Sequence, residues 1–170
     1  MSSIEIRILR PEDDRASFCC GDEALDLFFH RYAGQNQFRH HIGVTYVGVL
    51  EGQILGFVTV APATLDADEV PSGRRMPPYP LPVLRVARLA VARQAASQGL
   101  GKALLRFAIE LAETMRTRFG CVGLVVDAKP GAVGFYEPFG FVPITAVAGA
   151  AATVPRPQAM YLPLGSIPPP

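Results

Sequence analysis

The chain has 170 residues, of which 49% are hydrophobic and 18% charged, and its formal net charge is +1. That length suits one domain, so a single domain is expected over residues 1–170, with a disordered tail at 165–170. No apolar run approaches the ~20 residues that cross a bilayer, and Glu5, Arg7 and Arg10 interrupt the apolar N-terminus, unlike a signal peptide. A cytoplasmic protein without membrane contact is predicted.

The three cysteines are Cys19, Cys20 and Cys121. Two adjacent cysteines and one distant one make neither a disulfide framework nor a metal-ligand spacing. We therefore expect reduced thiols and no bound metal.

The first predicted elements are a strand and a helix. Residues 4–9 alternate apolar and charged side chains, as a half-buried strand does. Asp22 fits an N-cap, and the helix after it is expected to run to about residue 37. The apolar residues that recur at helical spacing, and are expected to be buried, are Leu25, Phe28, Phe29 and Tyr32.

A hairpin and a long loop follow. Residues 44–50 and 54–61 are rich in β-branched and aromatic side chains and predict an antiparallel hairpin that Pro62 ends. The proline-rich segment 62–82 predicts a long loop. Loops of this length are often functional, so a lid or substrate-side wall is expected here.

The second half predicts a parallel strand pair. Strands are expected at 83–92 and 122–127, joined by a helix from Ala103 to about residue 119, long enough for a right-handed crossover. A short helix is expected at 132–137, stopped by Pro138.

Two further strands close the predicted fold. Residues 141–147 and 159–164 predict an antiparallel pair near the C-terminus.

Residues 86–107 predict a strand, a glycine loop and a helix. Gly99 and Gly101 permit close backbone approach, and a helix that starts there exposes its first amides. Those amides, the positive end of the helix dipole and the nearby Lys102 suit a phosphate or pyrophosphate.

Two common nucleotide-binding loops do not fit this sequence. A P-loop needs glycine at 96 and a hydroxyl after the lysine, where this chain has Ala96 and Ala103. The dinucleotide fingerprint needs a third glycine where Leu104 stands.

The sequence Gly99-Leu100-Gly101 resembles the acyl-CoA loop of the GCN5-related N-acetyltransferases. Ala96 stands where that family usually has Arg or Gln, and Gln98 or Arg93 could substitute for it. A glycine turn that merely starts a core-packed helix remains an alternative. The resemblance implies acetyl-CoA as cosubstrate and assigns it these residues: Leu89, Ala90, Val91, Ala96, Ser97, Gln98, Gly99, Leu100, Gly101, Lys102 and Phe135.

A second signature supports the first. The run from Phe135 and Tyr136 to Gly140 and Phe141 matches the family's C-terminal Phe-Tyr and Gly-Phe pattern. Lys129 stands where relatives often have an Asn that touches the pantetheine arm. The implied fold is mixed α/β: a mostly antiparallel sheet flanked by helices, with one parallel strand pair splayed at the acyl-CoA site.

The resemblance also implies chemical roles. Acetyl transfer needs a neutral amine, donors for an oxyanion and a proton for the departing thiolate. The family's backbone donor corresponds to Leu89 or Val91, and its proton donor to Tyr136, whose phenol has an ordinary pKa of about 10. The alternative for Tyr136 is a ring that packs under the cofactor without transferring a proton.

Nearly the whole chain resembles the acetyltransferase toxins of bacterial toxin–antitoxin pairs, and the N-terminal half narrows the match to them. The residues that carry this similarity are Phe18, Cys20, Gly21, Leu25, Asp26, Ala33, Gln35, Gln37, Thr45, Tyr46, Val47, Gly56, Arg88, Leu89, Ala90 and Val91. Such toxins acetylate the α-amino group of aminoacyl-tRNA, which blocks translation, and a ribbon-helix-helix antitoxin neutralises them. A homodimer is also expected.

Five clustered arginines fit an RNA ligand beside the cofactor loop. They are Arg74, Arg75, Arg85, Arg88 and Arg93. Three alternatives stay open: solvated arginines with no ligand, acetylation of a small amine or protein amino group, and a non-catalytic acyl-CoA-binding module.

Overall fold

The computed structural model describes residues 3–70, 76–144 and 157–166. Within those ranges one sheet contains seven strands: β1 (Glu5–Ile8), β2 (Val44–Leu50), β3 (Gln53–Leu65), β4 (Leu81–Val91), β5 (Gly123–Ala128), β6 (Val142–Pro143) and β7 (Gln158–Pro163). Their order across the sheet is β1-β2-β3-β4-β5-β7-β6. The helices are α1 (Glu23–Leu27), which continues into wider π-helical turns at Phe28–Tyr32 and Gln35–His40, α2 (Leu100–Arg118) and α3 (Val133–Tyr136).

The predicted mixed sheet is confirmed. β4 and β5 are parallel, whereas β1–β2, β2–β3, β5–β7 and β6–β7 are antiparallel. The parallel register runs from Val83 opposite Gly123 to Val86 opposite Val126. It ends there although β4 continues to Val91.

The chain divides into two compact units, each with its own core. The first unit, Met1–Ala61 with Ala87–Ile109, is built around aromatic rings. Phe29 stacks on Phe57 at 4.5 Å between ring centroids, and the ring of Phe18 meets both edge-on. The second unit is Pro62–Val86 with Glu110–Pro170. One buried cluster of this unit comprises Leu65, Val70, Leu81, Val83, Val125, Ala159 and Tyr161.

Asp22 caps α1 as predicted, but the aromatic face of the helix is only partly buried. The Asp22 carboxylate accepts from the amides of Ala24 and Leu25. The prediction for Tyr32 is wrong, because its side chain is 45% exposed. Hydrogen bonds that join residues five apart widen these turns, so the helix has more than 3.6 residues per turn. The next buried residue after Phe29 is therefore Ala33, and Tyr32 lies off the buried face.

The hairpin is confirmed with two differences. Glu51 and Gly52 both have positive φ, 50° and 78°, so they form a two-residue turn, and Gln53 already pairs with Leu50. The prediction that Pro62 ends β3 is wrong, since the strand continues to Leu65. A proline has a φ close to extended backbone and removes one donor, and at this exposed position the strand tolerates it.

The remaining predicted elements are present with shifted ends. α3 stops before Pro138, which lies in a 3₁₀ turn, Glu137–Phe139. β6 and β7 are antiparallel, as expected. Arg74, Arg75, residues 145–147 of the predicted strand and the last four residues of the tail lie outside the described ranges. No helix within those ranges is both long and apolar enough to span a bilayer.

Candidate active site

The loop between β4 and α2 turns sharply and leaves backbone amides outside the helix ladder. Ser97 and Gly99 have left-handed φ values of 62° and 86°, and both are exposed. The first bond of α2 runs from the Ala103 amide to the Gly99 carbonyl at 3.1 Å, so the amides of residues 100–102 precede the ladder. They lie at the positive end of a 19-residue helix.

The start of α2 is anchored by two glycines of the hairpin. Gly48 and Gly56 are register partners on β2 and β3. A Cβ at Gly48 would lie 3.0 Å from Leu100 Cδ1, and one at Gly56 would lie 2.9 Å from Leu100 Cδ2 and 3.1 Å from Leu104 Cδ1. Both leucines are buried. Because neither glycine has a side chain, Leu100 packs closely against both strands, and this packing fixes the position of the loop's amides.

The residues of the loop fit a pyrophosphate group such as that of acetyl-CoA. Lys102 is exposed in the first turn of α2, and Ala96 is exposed and contributes no polar atom. The Gln98 side chain donates to the carbonyl of Gln94 at 3.4 Å. Arg93 precedes the loop, and its guanidinium lies against Gly21.

The residues expected beside the acyl group lie on the part of β4 beyond its parallel pairing. Ala90 is buried, whereas Leu89 and Val91 are half-buried. The Ala90 carbonyl is 3.0 Å from where a Gly56 Cβ would stand. A larger residue at 56 would therefore press on β4 itself.

Tyr136, the last residue of α3, is buried among aromatic rings. Its ring meets those of Phe135 and Phe141 edge-on, at 5.0 and 5.5 Å between centroids. Burial raises the pKa of the Tyr136 phenol to about 12. The hydroxyl makes no hydrogen bond to a described residue, yet no polar side-chain atom in those ranges is both buried and unsatisfied. The raised pKa keeps this phenol protonated at neutral pH.

The glycine of the second signature closes the turn that follows Tyr136. Gly140 has a φ of 103°, and its amide donates to the Glu137 carbonyl at 2.9 Å. The chain thus reverses and buries Phe141 against the Tyr136 ring. The residues of the second signature therefore share one local role: they surround the Tyr136 phenol with aromatic rings.

The described arginines of the predicted RNA cluster differ in their surroundings. Arg85 pairs with Asp127 at 2.7 Å, and both side chains are largely buried. The guanidinium of Arg88 lies 4.7 Å from the Phe28 ring centroid. Arg88 and Arg93 are exposed, and the Arg88 guanidinium also donates to the Ala87 carbonyl at 3.0 Å, whereas Arg85 is half-buried in its ion pair.

Comparison with known proteins identifies the family. Residues 41–143, more than half of the chain, match the Acetyltransferase (GNAT) domain. The chain belongs to the GNAT acetyltransferase family. Its fold is thereby that of a GNAT enzyme, and the matched range includes the loop of Gly99 and the Phe135-Tyr136 pair.

Similar proteins within the GNAT family include toxins that modify tRNA. A tRNA-acetylating toxin of Mycobacterium tuberculosis strain H37Rv is 32% identical over 139 residues, covering 79% of this chain and 82% of the relative. The structure of AtaT complexed with acetyl-methionyl-tRNAfMet is 26% identical, with a TM-score of 0.82 and 96% of each chain covered. A Tyr-to-Phe mutant of AtaT bound to acetyl-CoA and the C-terminus of the antitoxin AtaR is also 26% identical, with a TM-score of 0.77 and coverage of 96% and 95%.

A basic face of this GNAT chain is absent from the sequence-based predictions. Between residues 27 and 50 there is no Asp or Glu, and the π-helical turns expose Arg31, Arg39 and His40. Neither arginine forms an ion pair with a described residue. The signal available in the sequence is this 24-residue stretch without acids, but its aromatic residues indicate core packing and conceal the basic side chains between them.

The GNAT chain shows no metal centre in its described ranges. There, no three His, Cys, Asp or Glu side chains lie close enough together to hold a metal ion. Cys19 is exposed, Cys20 is half-buried and Cys121 is buried, and all three are free thiols.

Proposed function

We propose that this protein is an acetyl-CoA-dependent N-acetyltransferase that acetylates the α-amino group of aminoacyl-tRNA and thereby blocks translation. The observation that carries the proposal is the 32% identity to a tRNA-acetylating toxin over most of both chains. The AtaT structure complexed with acetyl-methionyl-tRNAfMet supports it, because that fold matches 96% of this chain.

In the proposed reaction the chain binds and orients both substrates. Bound acetyl-CoA supplies an activated acetyl thioester. The amides of residues 100–102 and the Lys102 ammonium hold its pyrophosphate. A backbone amide of Leu89 or Val91 donates to the acetyl oxygen, where negative charge develops.

Tyr136 is the proposed general acid. The neutral α-amine attacks the acetyl carbon and loses one proton to water as the new amide forms. The Tyr136 hydroxyl gives its proton to the thiolate sulfur as the carbon–sulfur bond breaks, and the resulting phenolate regains a proton from solvent. The raised pKa supports this role, because a phenol with a pKa of about 12 is protonated at neutral pH.

The RNA is proposed to be held by phosphate contacts. Exposed cations of the first unit suit a polyanion without reading its sequence. They are Arg88 from the predicted cluster, together with Arg31 and Arg39. Because charged tRNA is cytoplasmic, we propose that the protein acts in the cytoplasm.

The proposed partner is an antitoxin. AtaT has been solved with the C-terminus of its antitoxin AtaR, which supports a protein inhibitor for this chain too. A ribbon-helix-helix fold for that partner, and a homodimeric state of the enzyme, complete the proposal on the strength of the family resemblance.

The test is acetyl transfer from labelled acetyl-CoA to bulk charged tRNA by wild type and Tyr136→Phe. We expect label on the aminoacyl group, with a loss of about 10²–10⁴-fold in the variant and unchanged acetyl-CoA binding. Label on small amines or protein lysines alone would exclude the tRNA substrate. Binding of acetyl-CoA without turnover on any amine would point to a non-catalytic module.

A further inference from the structure

The turn at residues 19–21 connects α1 to the start of the glycine loop through an unbroken series of contacts. Asp26, in α1, accepts the Cys20 amide at 2.9 Å. The Cys19 carbonyl accepts the Arg93 amide at 3.1 Å, and the Arg93 carbonyl accepts the Ala96 amide at 3.3 Å. Ala96 is the first residue of the loop. Three hydrogen bonds, together with the peptide bond between Cys19 and Cys20, therefore connect Asp26 to the loop.

Gly21 adds a side-chain contact to this backbone series. It has a φ of 93°, and a Cβ placed there would lie 2.8 Å from Arg93 Nε. The guanidinium therefore lies directly on the backbone of the turn. A side chain at position 21 would displace it.

The Asp26 carboxylate is suited to hold the turn. Burial opposes its ionisation, but hydrogen bonds from the Cys20 amide, the two thiols and the Gly21 amide outweigh burial and lower the pKa of Asp26. Cys20 itself packs against the aromatic core of the first unit. The turn is thus fixed by two interactions: the packing of Cys20 on the aromatic core and the hydrogen bond to the Asp26 carboxylate.

We propose that Asp26 is a positioning residue for acetyl-CoA binding: it fixes the turn at 19–21, which in turn fixes Arg93 and the entry to the glycine loop. The inference rests on the proposed acetyl-CoA site. Asp26 acts through Arg93, whose guanidinium lies on that turn and to which we assign the phosphate contact that the Ala96 side chain cannot make.

The test measures acetyl-CoA affinity by calorimetry, and KM and kcat with charged tRNA, on the full chain. Asp26→Ala is expected to weaken acetyl-CoA binding about 10-fold, the equivalent of one charge-assisted hydrogen bond, with kcat at saturating acetyl-CoA nearly unchanged. Asp26→Asn keeps an acceptor for the Cys20 amide and is expected to recover most of the affinity. Gly21→Ala leaves the carboxylate in place, should lose affinity similarly, and decides the question if Asp26→Ala does not fold.

Asp22→Ala is the matched control, because the Asp22 carboxylate caps the same helix by accepting from the amides of Ala24 and Leu25. It should lower Tm but leave acetyl-CoA affinity unchanged. Equal losses of affinity in Asp22→Ala and Asp26→Ala, or wild-type affinity in Asp26→Ala, would overturn the inference. Failure of the wild type to bind acetyl-CoA would instead refute the proposed function.

Discussion

The side chain of Leu100, at the start of α2, packs directly on the backbone of Gly56 on β3, because Gly56 has no side chain of its own. A Cβ on residue 56 would stand 2.9 Å from Leu100 Cδ2, closer than real Cβ atoms come to a neighbour. Leu100 is also the first residue after the left-handed Gly99. The position of the glycine loop is therefore determined by an absent side chain on a strand more than forty residues earlier.

Gly56→Ala should destabilise the fold by about 1–3 kcal/mol, because the added methyl overpacks a contact with backbone as well as side chain. The loss is measured as a lower midpoint in urea unfolding, accompanied by weaker acetyl-CoA binding. Gly134→Ala is the control: its Cβ would meet no described heavy atom within 4 Å and it lies in a helix, so stability should hold or rise. Equal stability of Gly56→Ala and wild type would contradict the packing argument.

Gly99→Ala tests the loop's conformation rather than its packing. A φ of 86° strains an L side chain by about 1–2 kcal/mol, although the space around Gly99 is open among the described residues. We expect weaker acetyl-CoA binding as the loop relaxes. Gly52→Ala makes the same change at a φ of 78° in the hairpin turn, also in open space, and should cost similar stability without affecting acetyl-CoA. If both variants bind acetyl-CoA like wild type, the left-handed loop is not the phosphate site.

The pH profile tests Tyr136 as general acid. Its pKa is raised to about 12, so the protonated, donating form persists to higher pH than an ordinary phenol would allow. The rate should rise as the substrate amine loses its proton, then stay level through a pH of about 10.5. Single-turnover assays with an amide-linked analogue of the aminoacyl end avoid ester hydrolysis. A decline centred near a pH of about 10, absent in Tyr136→Phe, would show an unshifted phenol.

The basic face is tested by salt dependence. The double variant Arg31→Ala with Arg39→Ala should weaken tRNA binding and reduce the slope of log K against log salt by about 1 for each phosphate that is no longer neutralised. Arg116→Ala with Arg118→Ala removes the same charge from exposed positions at the end of α2 and serves as control. Identical slopes for the two double variants would remove this face from the RNA site.

Much of the fold follows from local signals in the sequence. The Asp22 cap, the hairpin and the long helix after the glycines depend on neighbours within a few residues, and the structure contains all three. The predictions for Tyr32 and Pro62 are wrong because each depends on context: one on π-helical turns, the other on an exposed strand position that tolerates a proline. The family is identifiable from the sequence because both signatures are short, contiguous motifs.

The surroundings of the site residues could not be predicted in the same way. Arg85 and Asp127 are 42 positions apart, and nothing in either local sequence indicates that they pair. The contact between the Arg93 guanidinium and the backbone of Gly21 joins two turns separated by more than seventy residues. Such contacts arise only once the sheet has brought distant segments together, so a motif can name a residue without revealing whether its charge is already neutralised.

The buried side chain of Gln37 links the π-helical segment to two other parts of the chain. Its amide donates to the Leu9 carbonyl at 3.2 Å and accepts the Thr45 amide at 2.8 Å, joining the segment after β1 to the start of β2. The Thr45 amide proton is therefore released only when the π-helical segment detaches. Its hydrogen-exchange rate reports the opening of that helix rather than of the strand it belongs to.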